Sequence, residues 1–141
     1  MGKLTVLIMC VTVMLSAATS AGADSLPIRR GYYVEKDVRC QDAPNSATTL
    51  YDGISFGHSH MECRKPSSKK LTDGSYQIVE QCRDTEGRGG RWSALTSNYV
   101  VLSQTEFTLT TKYGKASYRY CAQSDLPWPW NATDLHSIGV K

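Results

Sequence analysis

The chain has 141 residues, of which 40% are hydrophobic and 21% are charged. Its 16 basic and 13 acidic residues give a formal net charge of +3 at pH 7, and they are interspersed without a run of five like charges. This length is that of one small domain, and the mixed charges argue against nucleic acid or a membrane surface as the partner.

The first 23 residues have the composition of a secretory leader. Lys3 supplies a short positive region, residues 4–15 are apolar apart from threonine, and residues 21–23 offer an A-x-A cleavage site. The apolar run is shorter than the ~20 residues that span a bilayer. We therefore interpret 1–23 as a signal peptide, which predicts a periplasmic or secreted protein with no transmembrane anchor and a mature chain at 24–141.

The cysteines agree with export. Removal of the leader leaves an even number, Cys40, Cys63, Cys82 and Cys121, as expected of disulfides in an oxidising compartment. Three pairings are possible. Cys63 and Cys82 lie almost symmetrically about a hairpin turn at 72–74, which favours their pairing and leaves Cys40 and Cys121 to join the first strand to the last. The absence of a C-x-x-C pair argues against a four-cysteine zinc site.

The mature chain is predicted to consist of strands and turns. β-Branched residues and tyrosines dominate its longer segments, and no window has the sustained periodicity of an amphipathic helix. Seven or eight short antiparallel strands are typical of an all-β barrel or sandwich, and a disulfide between the first and last strands favours a barrel because closure removes free edges. The predicted strands are 31–40, 47–51, 58–64 (ended by 66–68), 74–82, 92–102, 106–111 and 116–121.

A β-hairpin over residues 108–121 is the clearest element. Its arms flank a loop at 112–115, where a glycine can adopt the positive φ of a tight turn. By the alternation of side chains along the strand, Cys121 falls on the polar face. Either its disulfide therefore lies on the outside of the sheet, or a bulge turns the side chain inward. The buried face is predicted to hold two cross-strand pairs, Leu109–Tyr118 and Phe107–Tyr120.

The tail at 122–141 begins with a proline-containing segment, 126–130, that is predicted to be extended. Its two tryptophans, Trp128 and Trp130, have two interpretations. They either cap an open end of the barrel or form an exposed surface for a partner.

A possible metal site lies at His58, His60 and Glu62. On a strand these three alternate residues project to one face, so that two imidazoles and a carboxylate can converge on a metal ion. The alternative interpretation is a solvated polar face. No other cofactor is indicated.

The segment Gly53–Gly57 matches the G-x-S-x-G nucleophile motif around Ser55, with Asp125 and His136 later in the chain. That chemistry requires a strand-to-helix turn and a much larger α/β fold. Because no helix follows Ser55 in the predicted structure, two turns around a short strand explain the glycines better, and we predict a protein that is not an enzyme.

Two basic and aromatic loops are candidates for binding. The segment at 87–91 lacks the Lys-Ser/Thr and helix of a phosphate-binding loop and is predicted to be an exposed hairpin end. The hairpin loop at 112–115 is the second. Loops on a rigid β scaffold commonly carry binding residues, and the candidates are Arg88, Arg91, Trp92, Tyr113, Gly114 and Lys115.

Seven positions or segments of the mature chain carry a family resemblance: 31–34, Cys40, 45–48, Cys63, 74–76, 82–84 and 118–127. Through them the chain resembles a group of small, uncharacterised exported proteins of Gram-negative bacteria. More distantly, its size, export and cysteine-closed strands resemble the periplasmic and membrane-bound inhibitors of c-type lysozyme. That resemblance implies a small β-barrel that inserts a Ser-Gly-x-Gly-Ala-Lys-Tyr loop into the enzyme's cleft, and segment 112–118 shares a glycine and a basic residue with it.

Together these features predict a non-enzymatic binding or inhibitor-like domain that acts on a protein or envelope partner. A small metal- or ligand-binding protein that uses His58, His60 and Glu62 is the alternative.

Overall fold

A computed structural model describes residues 24–57, 60–86 and 89–140. The predicted leader at 1–23, His58 and Arg88 therefore lie outside the described residues. Within them the chain has eight strands, four short 3-10 turns and no α-helix. The strands are β1 Gly31–Glu35, β2 Thr48–Tyr51, β3 Phe56–Gly57, β4 Met61–Lys70, β5 Tyr76–Asp84, β6 Ser93–Ser103, β7 Glu106–Thr111 and β8 Gly114–Cys121.

The strands form one antiparallel sheet that curls into a nearly closed barrel. Its order is β3-β2-β1-β8-β7-β6-β5-β4. In a flat sheet β3 and β6 would lie roughly 24 Å apart, five strand spacings, yet the rings of Phe56 on β3 and Tyr99 on β6 stack with centroids 5.1 Å apart. The prediction of an all-β fold is confirmed, and of the two predicted alternatives, barrel and sandwich, the structure is the barrel.

The inner face of the barrel is largely aromatic. Alternate residues of each strand point inward, as a curled sheet with one buried face requires. Phe56 lies centrally, with ring centroids 4.8 Å from Tyr51 and 5.2 Å from Phe107. The buried inner core is Leu26, Ile28, Tyr33, Tyr51, Phe56, Ile78, Tyr99 and Phe107.

The predicted β7–β8 hairpin is present, but its register was wrong by two residues. Thr111 pairs with Gly114, so that the turn contains only residues 112–113 and not four residues. Gly114 has a φ of +148°, which favours glycine. A shift of two keeps every side chain on its face, so the four predicted core residues still face inward. The observed pairs are Phe107–Tyr118 and Leu109–Ala116.

Both predicted disulfides are present. The Cys40–Cys121 bond, the terminal disulfide, spans 81 residues, and the Cys63–Cys82 bond, the hairpin disulfide, spans 19. Disulfides of this kind form in an oxidising environment outside the cytoplasm. No helix in the described part of the chain has the length and hydropathy needed to cross a bilayer.

The terminal disulfide lies on the outer face of the sheet. Cys121 is opposite Tyr32 of β1, and β8 reaches it without a shift in register, so that no bulge turns it inward. The tail covers the bond from outside, and Trp130 packs against the same cluster, whereas Trp128 is 78% exposed. The tail therefore covers a side of the barrel, so that of the two interpretations the end cap is wrong, and a partner surface at the exposed Trp128 stays a prediction. The outer cluster is Tyr32, Val34, Cys40, Ala43, Cys121 and Leu126.

Three predicted strand boundaries need correction. The first strand ends at Glu35, before a 3-10 turn that begins at Cys40. β4 begins at Met61 and continues past the predicted stop at 66–68, where the register shifts between Arg64 and Ser67. Proline is tolerated at such a position because β4 is an edge strand and the register is already interrupted there. The two-residue strand β3 overlaps the short strand that was predicted between the glycines at 53 and 57.

Strand register places several candidate segments at one end of the barrel. Thr110 of β7 pairs with Asn98 of β6, and Asn98 pairs with Gln77 of β5. Because neighbouring strands are antiparallel, the turn at 112–113 lies at the same end as the start of β4, the end of β5 and the start of β6. We call this the loop end.

Candidate functional site

Two arginine side chains lie over Trp92 at the loop end. The Cζ atom of Arg64 is 3.8 Å from the centroid of the Trp92 ring, and the Cζ atom of Arg83 is 4.8 Å from it. Each contact is a cation–π interaction, worth about 0.5–1 kcal/mol at an exposed site. We call Glu62, Arg64, Arg83 and Trp92 the Arg–Trp surface.

Local strand geometry explains how these residues meet. Cys63 lies opposite Cys82, and both point to the inner face. Because side chains alternate along a strand, the residues that flank these cysteines point outward. Arg64 and Arg83 therefore share the outer face with Trp92, which immediately precedes β6.

One of the two arginines already has a carboxylate partner. Arg83 donates from Nε and Nη2 to Oε2 of Glu62, at 2.8 Å and 2.6 Å. The pair is about half exposed, so that it contributes at most about 1 kcal/mol to stability. Arg64 is exposed, and no carboxylate of the described residues lies within ion-pair distance of it.

Stacking on the indole leaves Arg64 suited to anions. A guanidinium group carries its five N–H donors in its own plane, so a ring that covers one face does not occupy them. These donors match the paired oxygens of a carboxylate or a phosphate. Lys65 and Arg91, which adjoin Arg64 and Trp92 in the chain, also have exposed side chains, whereas Lys69 and Lys70 lie at the opposite end of β4.

The hairpin turn supplies a second exposed aromatic group. Tyr113 is 76% exposed, and Nζ of Lys112 lies 4.9 Å from its ring centroid. The backbone N–H of Tyr113 donates to Oγ1 of Thr111 at 3.1 Å, which holds the turn. A Cβ on Gly114 would meet nothing within 4 Å, and Lys115 is exposed. This turn therefore projects into solvent.

The turn and the Arg–Trp surface lie on neighbouring strands of the loop end. Thr110 of β7 is paired with Asn98 of β6. Toward the loop end, Tyr113 lies three residues from Thr110, and Trp92 lies six residues from Asn98. At about 3.3 Å per residue, Trp92 extends roughly 10 Å further along the strand direction. Both predicted loops therefore belong to one end of the molecule.

The sequence prediction missed Arg64 and Arg83. It selected Arg88, which lies outside the described residues, and Arg91 and Trp92 from the loop that follows β5. The signal was nevertheless present, since pairing Cys63 with Cys82 also puts Glu62 opposite Arg83. What the sequence did not indicate was that Trp92 folds back over β4 and β5.

The structure gives His60 and Glu62 separate partners. His60 precedes β4 with a φ of +60°, so that it does not alternate with Glu62 along one strand as predicted. Its Nδ1 lies 2.9 Å from Oε1 of Glu86, whereas Glu62 accepts from Arg83. Because His58 lies outside the described residues, the metal site stays a prediction.

Ser55 lies in a turn between two strands. Oδ1 of Asp52 accepts hydrogen bonds from the backbone N–H groups of Ile54 and Ser55, at 2.7 Å and 2.8 Å. Gly53 has a φ of +103°, and a Cβ there would lie 2.4 Å from Nε of Arg30. The turn geometry accounts for this glycine, and the strand-to-helix turn of a nucleophile motif is not formed here.

A small cavity opens beside the aromatic core. It has a volume of about 80 Å³, well below the roughly 300–1,000 Å³ of pockets for drug-sized ligands. Burial raises the pKa of Tyr118 in its wall, and the charge of Glu35 adds to that shift. The apolar wall is Phe56, Phe107, Leu109 and Tyr118, and the polar rim is Asn45, Ser46, Thr48 and Thr49.

The fold and this site together define a small, disulfide-linked all-β barrel with a basic and aromatic surface at one end. Comparison of the chain with protein-family models, with curated proteins and with solved structures found no match. The Arg–Trp surface and the turn at 112–113 present the exposed arginine and tyrosine side chains of the loop end.

Proposed function

We propose that the mature chain is a non-enzymatic, periplasmic or secreted domain that binds an acidic protein surface through its loop end. The observation that carries the proposal is the exposed Arg64 guanidinium held over the ring of Trp92, with its Cζ 3.8 Å from the ring centroid.

The residue types at the loop end favour a protein partner. Tryptophan, tyrosine and arginine are the residues most enriched among those that dominate binding energy at protein interfaces. Here Arg64, Trp92 and Tyr113 occupy one end of a disulfide-linked barrel. Because the Arg64 side chain is already stacked, less side-chain entropy is lost when a partner carboxylate binds it.

The charge of this surface favours an acidic partner. Glu62 neutralises Arg83, which leaves Arg64 as an uncompensated charge next to Lys65 in the chain, with Arg91 next to Trp92. Complementary charge accelerates association and makes it sensitive to salt. An inhibitor-like role is compatible with the proposal for an acidic target, and is less compatible with a basic enzyme such as lysozyme.

The compartment follows from the leader and the disulfides. A cleavable leader at 1–23 is an expectation from the sequence, and the two disulfides require an oxidising environment. A periplasmic or secreted partner is therefore the appropriate target for an experiment.

The proposal is tested by capture from envelope and secreted fractions. The mature protein is attached through Asp24, because the adjacent Ser25 bonds to Gly53 in the turn between β2 and β3, away from the loop end. The expected result is capture of an acidic protein that is released by added salt. Arg64→Gln and Trp92→Leu should each weaken its binding about tenfold, or ~1.4 kcal/mol.

Lys69→Gln is the matched control. It removes the same charge from the outer face of the same strand, five residues from Arg64, and should change binding by less than about twofold if the stacked arginine matters more than net charge. Equal loss with Lys69→Gln, no loss with Arg64→Gln, or capture that survives protease treatment of the fraction would each refute an acidic protein as the partner of this surface.

A further inference from the structure

Three side chains bring metal-ligating atoms together on the inner face of the barrel. Glu80 and Cys82 alternate along β5, and Cys63 lies directly opposite Cys82 on β4. A carboxylate oxygen and the two sulphur atoms all lie within 4.8 Å of one another. Among the residues that the structure describes, no other trio of His, Cys, Asp or Glu side chains converges this closely.

In the oxidised protein the two sulphur atoms are bonded to each other, and neither is available as a thiolate ligand. A dithiol reductant changes this. It supplies two electrons and two protons, the S–S bond breaks, Cys63 and Cys82 become thiols, and the reductant becomes its own disulfide. A divalent cation then displaces both thiol protons to solvent, because the thiolate is the form that binds metal.

The spacing suits a tetrahedral ion. Zinc–sulphur bonds of about 2.3 Å imply a sulphur–sulphur separation of about 3.8 Å and a sulphur–oxygen separation of about 3.5 Å. The Cα atoms of Cys63 and Cys82 are 4.1 Å apart, so that the sulphur atoms, once the bond between them is broken, reach this separation by rotation of the side chains. The Glu80 oxygen, already within 4.8 Å, needs to move by only about 1 Å.

Two buried hydroxyl groups provide independent support for a ligand here. Ser97 and Tyr99 lie on the inner face of β6 next to β5, and each is 1% exposed. Neither Ser97 Oγ nor Tyr99 OH has a partner at ordinary hydrogen-bond geometry in the described part of the chain, although the two hydroxyls are close enough for Ser97 to lower the pKa of Tyr99 against the effect of burial. The Glu80 carboxylate is close enough to add to the shift that burial produces in the pKa of Tyr99. These hydroxyls can bind a water ligand or orient the carboxylate.

The site also has a path from solvent. Glu80 and Cys82 are 1% and 2% exposed, but Cys63 is only partly buried. It lies on β4, whose other edge pairs with no strand in the described residues. A reductant and then an ion can therefore approach from that edge.

We propose that reduction of the hairpin disulfide creates a site for one thiophilic divalent cation, bound by Cys63, Glu80 and Cys82, with water as the fourth ligand. Two thiolates and one carboxylate select Zn²⁺ over Mg²⁺ or Ca²⁺, which require oxygen ligands. The site is closed in the oxidised protein and does not involve the Arg–Trp surface.

Zinc binding to the mature protein tests the proposal directly. The protein is reduced with dithiothreitol, freed of it by anaerobic desalting, and titrated with Zn²⁺. A parallel titration with Co²⁺ reports thiolate ligands by their charge-transfer absorption. We expect one ion per reduced chain, and no charge-transfer band from the oxidised protein.

Variants identify the ligands. Glu80→Gln should weaken zinc binding at least tenfold. Glu106→Gln removes a carboxylate from the outer face of β7, away from the hairpin disulfide, and should leave the affinity unchanged. The double variant Cys63→Ser/Cys82→Ser, reduced in the same way, keeps Cys40 and Cys121 and should lose the site.

A measurement on the unmodified chain does not depend on whether the variants fold. Zn²⁺ should slow alkylation of Cys63 and Cys82 at least tenfold in the reduced protein, as read by peptide mass spectrometry, and should not slow alkylation of Cys40 or Cys121. Equal alkylation rates with and without Zn²⁺ would overturn the proposal. So would tight zinc binding by the double serine variant or by Glu80→Gln.

Discussion

Closure of the barrel should depend on one ring, that of Phe56. This side chain lies on the two-residue strand β3 and is 4% exposed. Its ring centroid lies 4.8 Å from Tyr51, 5.1 Å from Tyr99 and 5.2 Å from Phe107. The ring thus connects one edge of the sheet to strands on the opposite side of the barrel.

The expected loss can be estimated from these contacts. Removal of a buried phenylalanine typically costs about 3–5 kcal/mol, and each aromatic pair contributes about 0.5–1.5 kcal/mol beyond its buried area. With this many ring contacts, we expect Phe56→Ala to lower the free energy of unfolding by about 4 kcal/mol, or Tm by roughly 12–20 °C. Phe56→Leu keeps most of the buried apolar area and should lose about 1–2 kcal/mol.

Denaturation in urea, followed by circular dichroism and tyrosine fluorescence, measures both losses. Ile54→Ala is the control, because Ile54 is two residues away in the same turn and 61% exposed; it should change stability by less than about 0.5 kcal/mol. If Phe56→Ala costs less than about 1 kcal/mol, β3 does not hold the barrel closed and this account of the core is wrong.

The remaining predictions concern the disulfides, pH and metal binding. Replacing both cysteines of the terminal disulfide by serine should lower the free energy of unfolding by about 4.5 kcal/mol, and the same change at the hairpin disulfide should lower it by about 3 kcal/mol. The order follows because the entropy of loop closure grows with the 81- and 19-residue separations. Equal losses in chemical denaturation would contradict it. Burial raises the pKa of Tyr99 above its ordinary value of 10.0, so the folded state holds this proton more tightly and its contribution to stability is lost as the pH rises above about 10. Tyr99→Phe should flatten that alkaline decline in pH-dependent unfolding, and an unchanged slope would exclude Tyr99 as its source. If the oxidised protein binds Zn²⁺ in equilibrium dialysis through His58, His60 and Glu62, His60→Ala should remove one ion per chain, and unchanged stoichiometry would exclude that site.

The amino-acid sequence by itself determined the class of the fold and favoured the disulfide pairing that the structure has. Strand-forming residues alternate between turn residues along the mature chain, and an antiparallel sheet needs little more than this local pattern. The predicted bounds of β7, 106–111, match the observed Glu106–Thr111. The pairing of Cys63 with Cys82 was also local, because one hairpin turn between them brings them opposite each other.

Tertiary structure decided the details that depend on distant segments. The two-residue turn at 112–113 shifted the hairpin register, and packing on the outer cluster placed Trp130 against the side of the barrel. The Arg–Trp surface required Trp92 to fold back over two strands to reach Arg64 and Arg83. Contacts of this kind arise from the curl of the whole sheet, which depends on the packing of its inner aromatic rings and not on the alternation within any one strand.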